Sequence, residues 1–209
     1  MKKSSGILFL AATHGDEGFT VPILQELHRD FPGQFDWLIA NEMAFKRQVR
    51  FVSCDLNRVA PGCLGVIEYE RRRASELLGI SKDYKFVIDL HGTTTNSGIF
   101  VIITNPSPNN IALASSLPVS KVVIWANKNS GPLGPLTRFM NCAVEIECGP
   151  KSSFSTGDRL RQIIKEVLAR GLNLNPNKKQ KWFRVYGKVL RQGHAAAIRL
   201  QDFKQARLK

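Results

Sequence analysis

Short apolar runs alternate along the chain with longer amphipathic stretches. Ile7 to Ala12, Phe35 to Ala40, Lys85 to Leu90, Gly98 to Thr104, Lys121 to Ala126 and Ala143 to Cys148 are apolar or β-branched, and each predicts a strand. Between them apolar positions recur at helical spacing. Thr20 and Pro22 open a helix in which Ile23, Leu24, Leu27 and Phe31 run to a stop at Pro32-Gly33. Val66 to Leu78 predicts a second helix, ended by Gly79, with Tyr69, Ala74, Leu77 and Leu78 packed and Arg71, Arg72 and Arg73 solvated. Pro108 opens a third through Leu117, and Thr156 caps a fourth from Asp158 to Ala169 whose Leu160, Ile163, Ile164, Val167 and Leu168 share one side. Strands that alternate with helices imply an α/β fold, a mostly parallel sheet with helices on both faces. The stretch between Asn41-Glu42 and Gly65 reads as an irregular loop.

The pattern changes after residue 172. Asn173 to Lys181 has the asparagines, proline and lysines of a linker, and Trp182 to Leu190 and Ala195 to Leu200 predict two strands, too few for a core of their own. They must lean on the main domain or on a partner. The expected division is a catalytic domain over residues 1–172 and a linker with a small β-rich remnant over 173–209.

Charge follows the same division. The formal net charge is +13, but residues 1–150 hold 15 Lys+Arg against 14 Asp+Glu, whereas residues 151–209 hold 15 against 3. Basicity therefore belongs to the tail and says little about the ligand of the main domain. No stretch approaches the apolar length that crosses a bilayer, and Met1-Lys2-Lys3 before Ile7 to Ala12 is too brief a match to a signal peptide, so no membrane partner is expected. Cys54, Cys63, Cys142 and Cys148 form no close pair, which suits reduced thiols in a cytoplasmic protein.

Candidate chemistry sits at the ends of the apolar runs. Thr13-His14-Gly15-Asp16-Glu17 follows the first strand and His91 closes the third, and in open α/β sheets ligands lie beyond the carboxyl ends of strands. His14, Glu17 and His91 would make a tetrahedral site with one open position. The plainer alternative is a capped helix start at Asp16 or Glu17 and a hydrogen-bonded core histidine. Arg50, Asp55, Asn57 and Arg58 gather on the long loop, where polar residues hint at function, though Arg50 and Arg58 could simply pair with Asp55 or Asp16. Glu145 and Glu147 share a strand face, with Glu147 nearer the carboxyl end and Glu145 its rival.

Four segments, His14-Gly15-Asp16-Glu17, Arg50 with Cys54-Asp55-Leu56-Asn57-Arg58, Asp89-Leu90-His91-Gly92-Thr93-Thr94-Thr95-Asn96 and Glu147-Cys148-Gly149-Pro150, together resemble the aspartoacylase and succinylglutamate desuccinylase family. Tyr69-Glu70 with Arg72-Arg73-Ala74 is similar to its aspartoacylase branch. The resemblance implies a zinc-carboxypeptidase-like fold and one Zn2+ per chain on His14, Glu17 and His91. It also implies Glu147 as general base and later acid, Arg50 as the group that polarises the acyl carbonyl, Asn57, Arg58 and Arg138 on the carboxylates of the amino acid, and Asp55 behind the metal ligands. The implied reaction is hydrolysis of an N-acyl amino acid, N-acetyl-L-aspartate first, with N-succinylglutamate, another such compound or a peptide C-terminus as the alternative.

Two departures from that pattern bear on function. Asp16 stands where the family commonly has asparagine and would add a negative charge beside the metal. Only Trp182 to about Phe203 resembles the start of the family's β-rich C-terminal domain, which would leave the pocket more open and either the acyl preference broader or the activity low, with a homo-oligomer available to cover the edge of Trp182 to Leu190. A different class of reading, a basic nucleic-acid-binding or scaffold protein on a degenerate hydrolase fold, is disfavoured because every metal and catalytic position is filled.

Overall fold

The computed structural model describes residues 6–125, 131–172 and 179–185. Seven strands form one sheet: β1 (Ile7–Ala11), β2 (Asp36–Ile39), β3 (Phe86–Gly92), β4 (Gly98–Ile103), β5 (Lys121–Ile124), β6 (Ala143–Gly149) and β7 (Lys181–Arg184), in the order β2-β1-β3-β6-β4-β5-β7. All neighbouring pairs are parallel except β4 and β6, which run antiparallel. Five helices accompany it: α1 (Thr20–Asp30), α2 (Glu42–Arg47), α3 (Tyr69–Ser81), α4 (Pro108–Ser116) and α5 (Phe154–Arg170). The mixed, mostly parallel sheet and its helices agree with the zinc-carboxypeptidase-like expectation.

Strand alternation divides the core in two. Phe9, Ala11, Ile88, Leu90, Val144, Ile146 and Cys148 face the apolar stripes of α1, α4 and α5, including Leu24, Leu27, Leu113, Leu160 and Ile164. Leu8, Leu10, Val87 and Ala143 face the other way, against Ala74 and Leu77 of α3 and Leu136 of a short 3-10 turn, Leu136–Phe139. On this second face a smaller cluster, Phe100, Ile102, Val123 and Phe183, continues across β4, β5 and β7. Burying each such side chain contributes roughly 1.5–3 kcal/mol, so the sheet is held from both sides.

Several local expectations change. Helix α3 starts at Tyr69 and runs through Gly79 to Ser81; the Ser81 hydroxyl donates to the Leu78 carbonyl, and nothing lies near the missing Cβ of Gly79. The glycine costs helix propensity without ending the helix, because packing of Leu77 and Ser81 outweighs about 1 kcal/mol. The arginine run is not merely solvated: Arg73 Nε and Nη2 donate to the carbonyls of Ala40 and Ile39, and Arg72 Nη1 donates to those of Val66 and Ile67. Thr156 does not cap α5; Ser153 occupies that position and Thr156 is buried in the first turn. The supposed irregular segment holds α2, capped by Asn41 Oδ1 accepting from Ala44 N, and a 3-10 turn, Leu56–Arg58. Of the tail, β7 pairs in parallel with β5; the remainder of Trp182 to Leu190 beyond residue 185, and Ala195 to Leu200, lie outside the described residues.

Candidate functional site

Three elements bring the site together. Register sets Asp89 beside Leu10 and Glu145, and His91 beside Glu147, at the carboxyl ends of β1, β3 and β6. After β1 the chain turns through Ala12, which is held at φ 52°, a left-handed conformation that costs a non-glycine residue roughly 1–2 kcal/mol. That turn delivers His14 to the same edge. The next residue must be glycine: a Cβ on Gly15 would lie 2.2 Å from the Ala44 backbone, and Gly15 N donates to the Arg50 carbonyl.

His14, Glu17 and His91 are buried, and one ligand atom from each lies within 4.8 Å of the others. Both imidazoles turn Nδ1 to the same carboxylate: His14 Nδ1 is 2.9 Å from Glu17 Oε1 and His91 Nδ1 is 3.3 Å from Oε2, which also accepts from Gly92 N at 2.9 Å. Behind them stand further carboxylates. His14 Nε2 is 3.2 Å from Asp55 Oδ1, and His91 Nε2 is 3.0 Å from Asp89 Oδ2. The second pair is close without hydrogen-bond alignment, and neither atom has another hydrogen-bond partner among the described residues. Thr13 Oγ1 fixes Asp89 by donating to Oδ1 at 2.8 Å.

The electrostatics match this crowding. Burial opposes charge on His14, but hydrogen bonding to Asp55 and Glu17 outweighs it and raises the pKa. Burial likewise opposes charge on His91, and the charge of Asp89 raises its pKa well above the ordinary value. Glu17 and Asp55 are pulled well below the usual carboxylate range by these same histidines, against the cost of their own burial. So much charge packed around one point, with two Nδ1 atoms and a carboxylate converging, is a donor set able to hold a divalent cation, and carboxylates behind imidazoles are the usual means of fixing a ligating tautomer. Nε2–H of His14 pointing to Asp55 leaves Nδ1 with a lone pair. Arg50 Nη2 also lies 2.9 Å from that Nε2 and cannot donate to it in this tautomer.

The two glutamates of β6 have different surroundings. Glu145 accepts from Asn57 Nδ2 and Thr137 Oγ1, each at 3.1 Å, and Thr137 meets Thr104 at 2.8 Å. Burial raises the pKa of Glu145, and it raises that of Glu147 also, with His91 opposing in both cases. Among the described residues no hydrogen bond or ion pair reaches the Glu147 carboxylate. Both line one cavity of about 360 Å³, together with His14, Glu17, Arg50, Asn57, Arg58 and Arg138. Asp55 stands outside it, behind His14 and at the start of the Leu56–Arg58 turn.

The structure thus brings Arg50, Asn57, Arg58, Arg138 and Glu147 to one cavity with the His14, Glu17 and His91 cluster, and Asp55 behind it, but several are already engaged. Arg50 contacts Asp55 at 3.3 Å, the pairing left open as its plainer role, and also Glu17 at 3.6 Å. Asn57 accepts from Leu136 N as well as donating to Glu145, Arg58 Nη1 donates to the Asn57 carbonyl, and Arg138 Nη1 donates to the carbonyls of Gly131 and Leu133. Asp16 does not add an unbalanced charge to the site: its carboxylate pairs with Lys151 Nζ at 2.7 Å and does not line the cavity. The consequential residue that patterning passed over is Glu70, fully buried, whose carboxylate accepts from Val52 N, Ser53 N, Ser53 Oγ, Cys54 N and Asn41 Nδ2. A lone glutamate in a run of arginines carries no periodic signal; only the resemblance touched it.

Residues 4–170 match the family model of the succinylglutamate desuccinylase/aspartoacylase catalytic domain. Proteins named "Probable aspartoacylase" are similar: that of Trichodesmium erythraeum is 34% identical over 56% of this chain and 45% of its own, and that of Acaryochloris marina 29% identical over 77% and 59%. The chain spans about half the length of these curated relatives. In fold it is similar to murine aminoacylase 3, with TM-score 0.68, 20% identity and coverage of 88% of this chain and 71% of that one. The succinylglutamate desuccinylase of Chromobacterium violaceum gives TM-score 0.71, 18% identity and coverage of 93% and 74%.

Proposed function

Because the chain belongs to the succinylglutamate desuccinylase/aspartoacylase family, we propose that it is a zinc-dependent amidohydrolase that splits an N-acyl amino acid into a carboxylic acid and an amino acid. The observation that carries this reading is the convergence of His14, Glu17 and His91 beside a carboxylate, Glu147, that no other described residue engages by hydrogen bond or ion pair. The family resemblance makes N-acetyl-L-aspartate the reference substrate.

Two histidines and one carboxylate would hold the zinc, and the bound ion supplies Lewis acidity and lowers the pKa of water at the site. Glu147 takes the proton of the attacking water and returns it to the departing amine, a role worth on the order of 10² to 10⁴ in rate, and burial raises its pKa above the ordinary glutamate value. Arg50, half-exposed at the cavity wall, turns a guanidinium to the oxygen on which negative charge develops. Arg58 holds carboxylate through the donors not spent on the Asn57 carbonyl, Asn57 adds its second amide hydrogen, and Arg138 brings its guanidinium charge to the same cavity wall. Asp55 keeps His14 in the ligating tautomer.

The test pairs metal content with turnover. Zinc per chain and N-acetyl-L-aspartate hydrolysis are measured for the native protein, His91→Ala and Glu147→Gln. The expected outcome is loss of metal and activity in the first variant, and zinc retained with turnover reduced at least about 10²-fold in the second. Full activity in Glu147→Gln would remove it as the base.

A further inference from the structure

Lys151 does not line the cavity, yet it is fixed to both segments that deliver Glu17 and His91 to the cluster. Its backbone belongs with the end of β3. Lys151 N donates to the Thr93 carbonyl and Thr93 N to the Cys148 carbonyl, each at 2.8 Å, so the chain leaving β6 stays zipped to the chain leaving His91. The lysine stem lies over Gly92, where an added Cβ would come within 2.7 Å of both Lys151 Cβ and the Phe19 ring. Its head reaches the other segment: Nζ donates to the Asp16 carbonyl at 3.1 Å and to Asp16 Oδ2 at 2.7 Å, one residue before Glu17.

Glu17 depends on such a hold. Its carboxylate meets His14 Nδ1, His91 Nδ1 and Gly92 N, so it is well placed only while its own turn keeps a fixed distance from the end of β3. That turn, Gly15–Glu17, is three residues of 3-10 helix and closes too few hydrogen bonds to hold its own shape. Gly15 N, donating to the Arg50 carbonyl, ties its start, and Lys151 ties its middle. Exposed ion pairs usually contribute little, because two mobile side chains must be ordered to form them. Here most of that ordering precedes the contact: the Lys151 backbone is hydrogen-bonded, its stem is packed, its side chain is only 22% exposed, and Nζ meets two oxygens of one residue.

We infer that Lys151 is a positioning residue for the metal cluster: by clamping Asp16 it holds the Glu17 turn against the end of β3, and so raises the affinity for a divalent cation. The inference rests on the metal reading of His14, Glu17 and His91, and adds to it a residue outside the ligand set and outside the cavity.

Charge and clamping predict opposite signs for Lys151. A lysine near a cation site repels the incoming ion, so by Coulomb interaction alone Lys151→Met tightens zinc and Asp16→Ala weakens it. A clamp requires both to weaken it. Zinc Kd is measured on the full chain by competition with a chromophoric chelator, for the native protein, Lys151→Met, Lys151→Arg, Asp16→Ala and the double variant Lys151→Met with Asp16→Ala. The expected result is affinity lower by about tenfold in Lys151→Met and in Asp16→Ala, and within about threefold of native in Lys151→Arg. The double variant should fall no further than either single one, since both substitutions break the same contact. Zinc held by Lys151→Met as tightly as by the native chain, or more tightly, overturns the clamp, and so does a double variant whose loss is the product of the two single losses. Exchange of the Gly92 amide hydrogen, read by NMR on the metal-free chain, reports directly on the bond to Glu17 and should be about threefold or more faster in Lys151→Met than in the native protein. Should the native chain bind no zinc, the metal reading fails instead, and that exchange alone judges the clamp: faster exchange in Lys151→Met supports it, and equal exchange overturns it.

Discussion

Glu145 shows how one side chain can be misjudged from its neighbours in sequence. It shares a strand face with Glu147 and is buried beside His91, yet Asn57 and Thr137 occupy its carboxylate, which suits it to hold the cavity wall and not to move protons. Because burial raises its pKa, the folded chain binds this proton more readily than the unfolded one. Its contribution is therefore most favourable below the unfolded value and is lost as pH rises through the folded value. Glutamine keeps an oxygen for both donors and cannot ionise. Glu145→Gln should accordingly match the native chain at acid pH and gain stability over it as pH rises, a difference that thermal melts at several pH values will read; a constant offset would show that ionisation is not its cause.

At the scale of elements, the decisive arrangement is the anchoring of the loop over residues 49–55 by α3. Glu70 gathers four donors from Val52, Ser53 and Cys54, on the segment that joins Arg50 to Asp55, and both of these touch His14. It also accepts from Asn41, whose oxygen caps α2. Hydrogen bonds to a charged acceptor are worth about 1.5–3 kcal/mol each in favourable cases. Glu70→Gln would set an amide nitrogen against donors, so we expect a loss of at least about 2 kcal/mol in chemical denaturation and zinc affinity weakened about 10- to 100-fold through the release of Asp55. Unchanged zinc affinity in a folded Glu70→Gln would confine Glu70 to stability. Helix α3 itself was legible as a helix, but its frame was not: it begins three residues later than the apolar pattern suggests and passes through Gly79, because its register answers to Ala74 and Leu77 packing on the sheet.

At the scale of the whole molecule, charged groups from β3, β6 and the segments that follow β1 and α2 are pressed together at one sheet edge, and a cation that binds there only in the folded state must stabilise the fold. Zinc at 100 times its Kd should add about 2.7 kcal/mol, seen as a raised Tm that a chelator reverses and that His91→Ala lacks. Equal Tm with and without zinc would separate the cluster from metal binding. Residues 186–209 of the basic tail lie outside the described residues. The strand runs, the α/β class, the sheet-edge position of His14, Glu17 and His91 and the pairing of Glu145 with Glu147 all followed from the sequence, because apolar period and strand alternation are local properties that survive any reasonable packing. Only the tertiary structure decided that β4 runs against β6, that Ala12 takes a left-handed turn, that Lys151 claims Asp16, that Glu70 holds the Arg50 loop and that Trp125 lines the cavity. Those are contacts between residues distant in the chain, fixed by register, burial and hydrogen-bond satisfaction, and no periodicity within a window of residues encodes them.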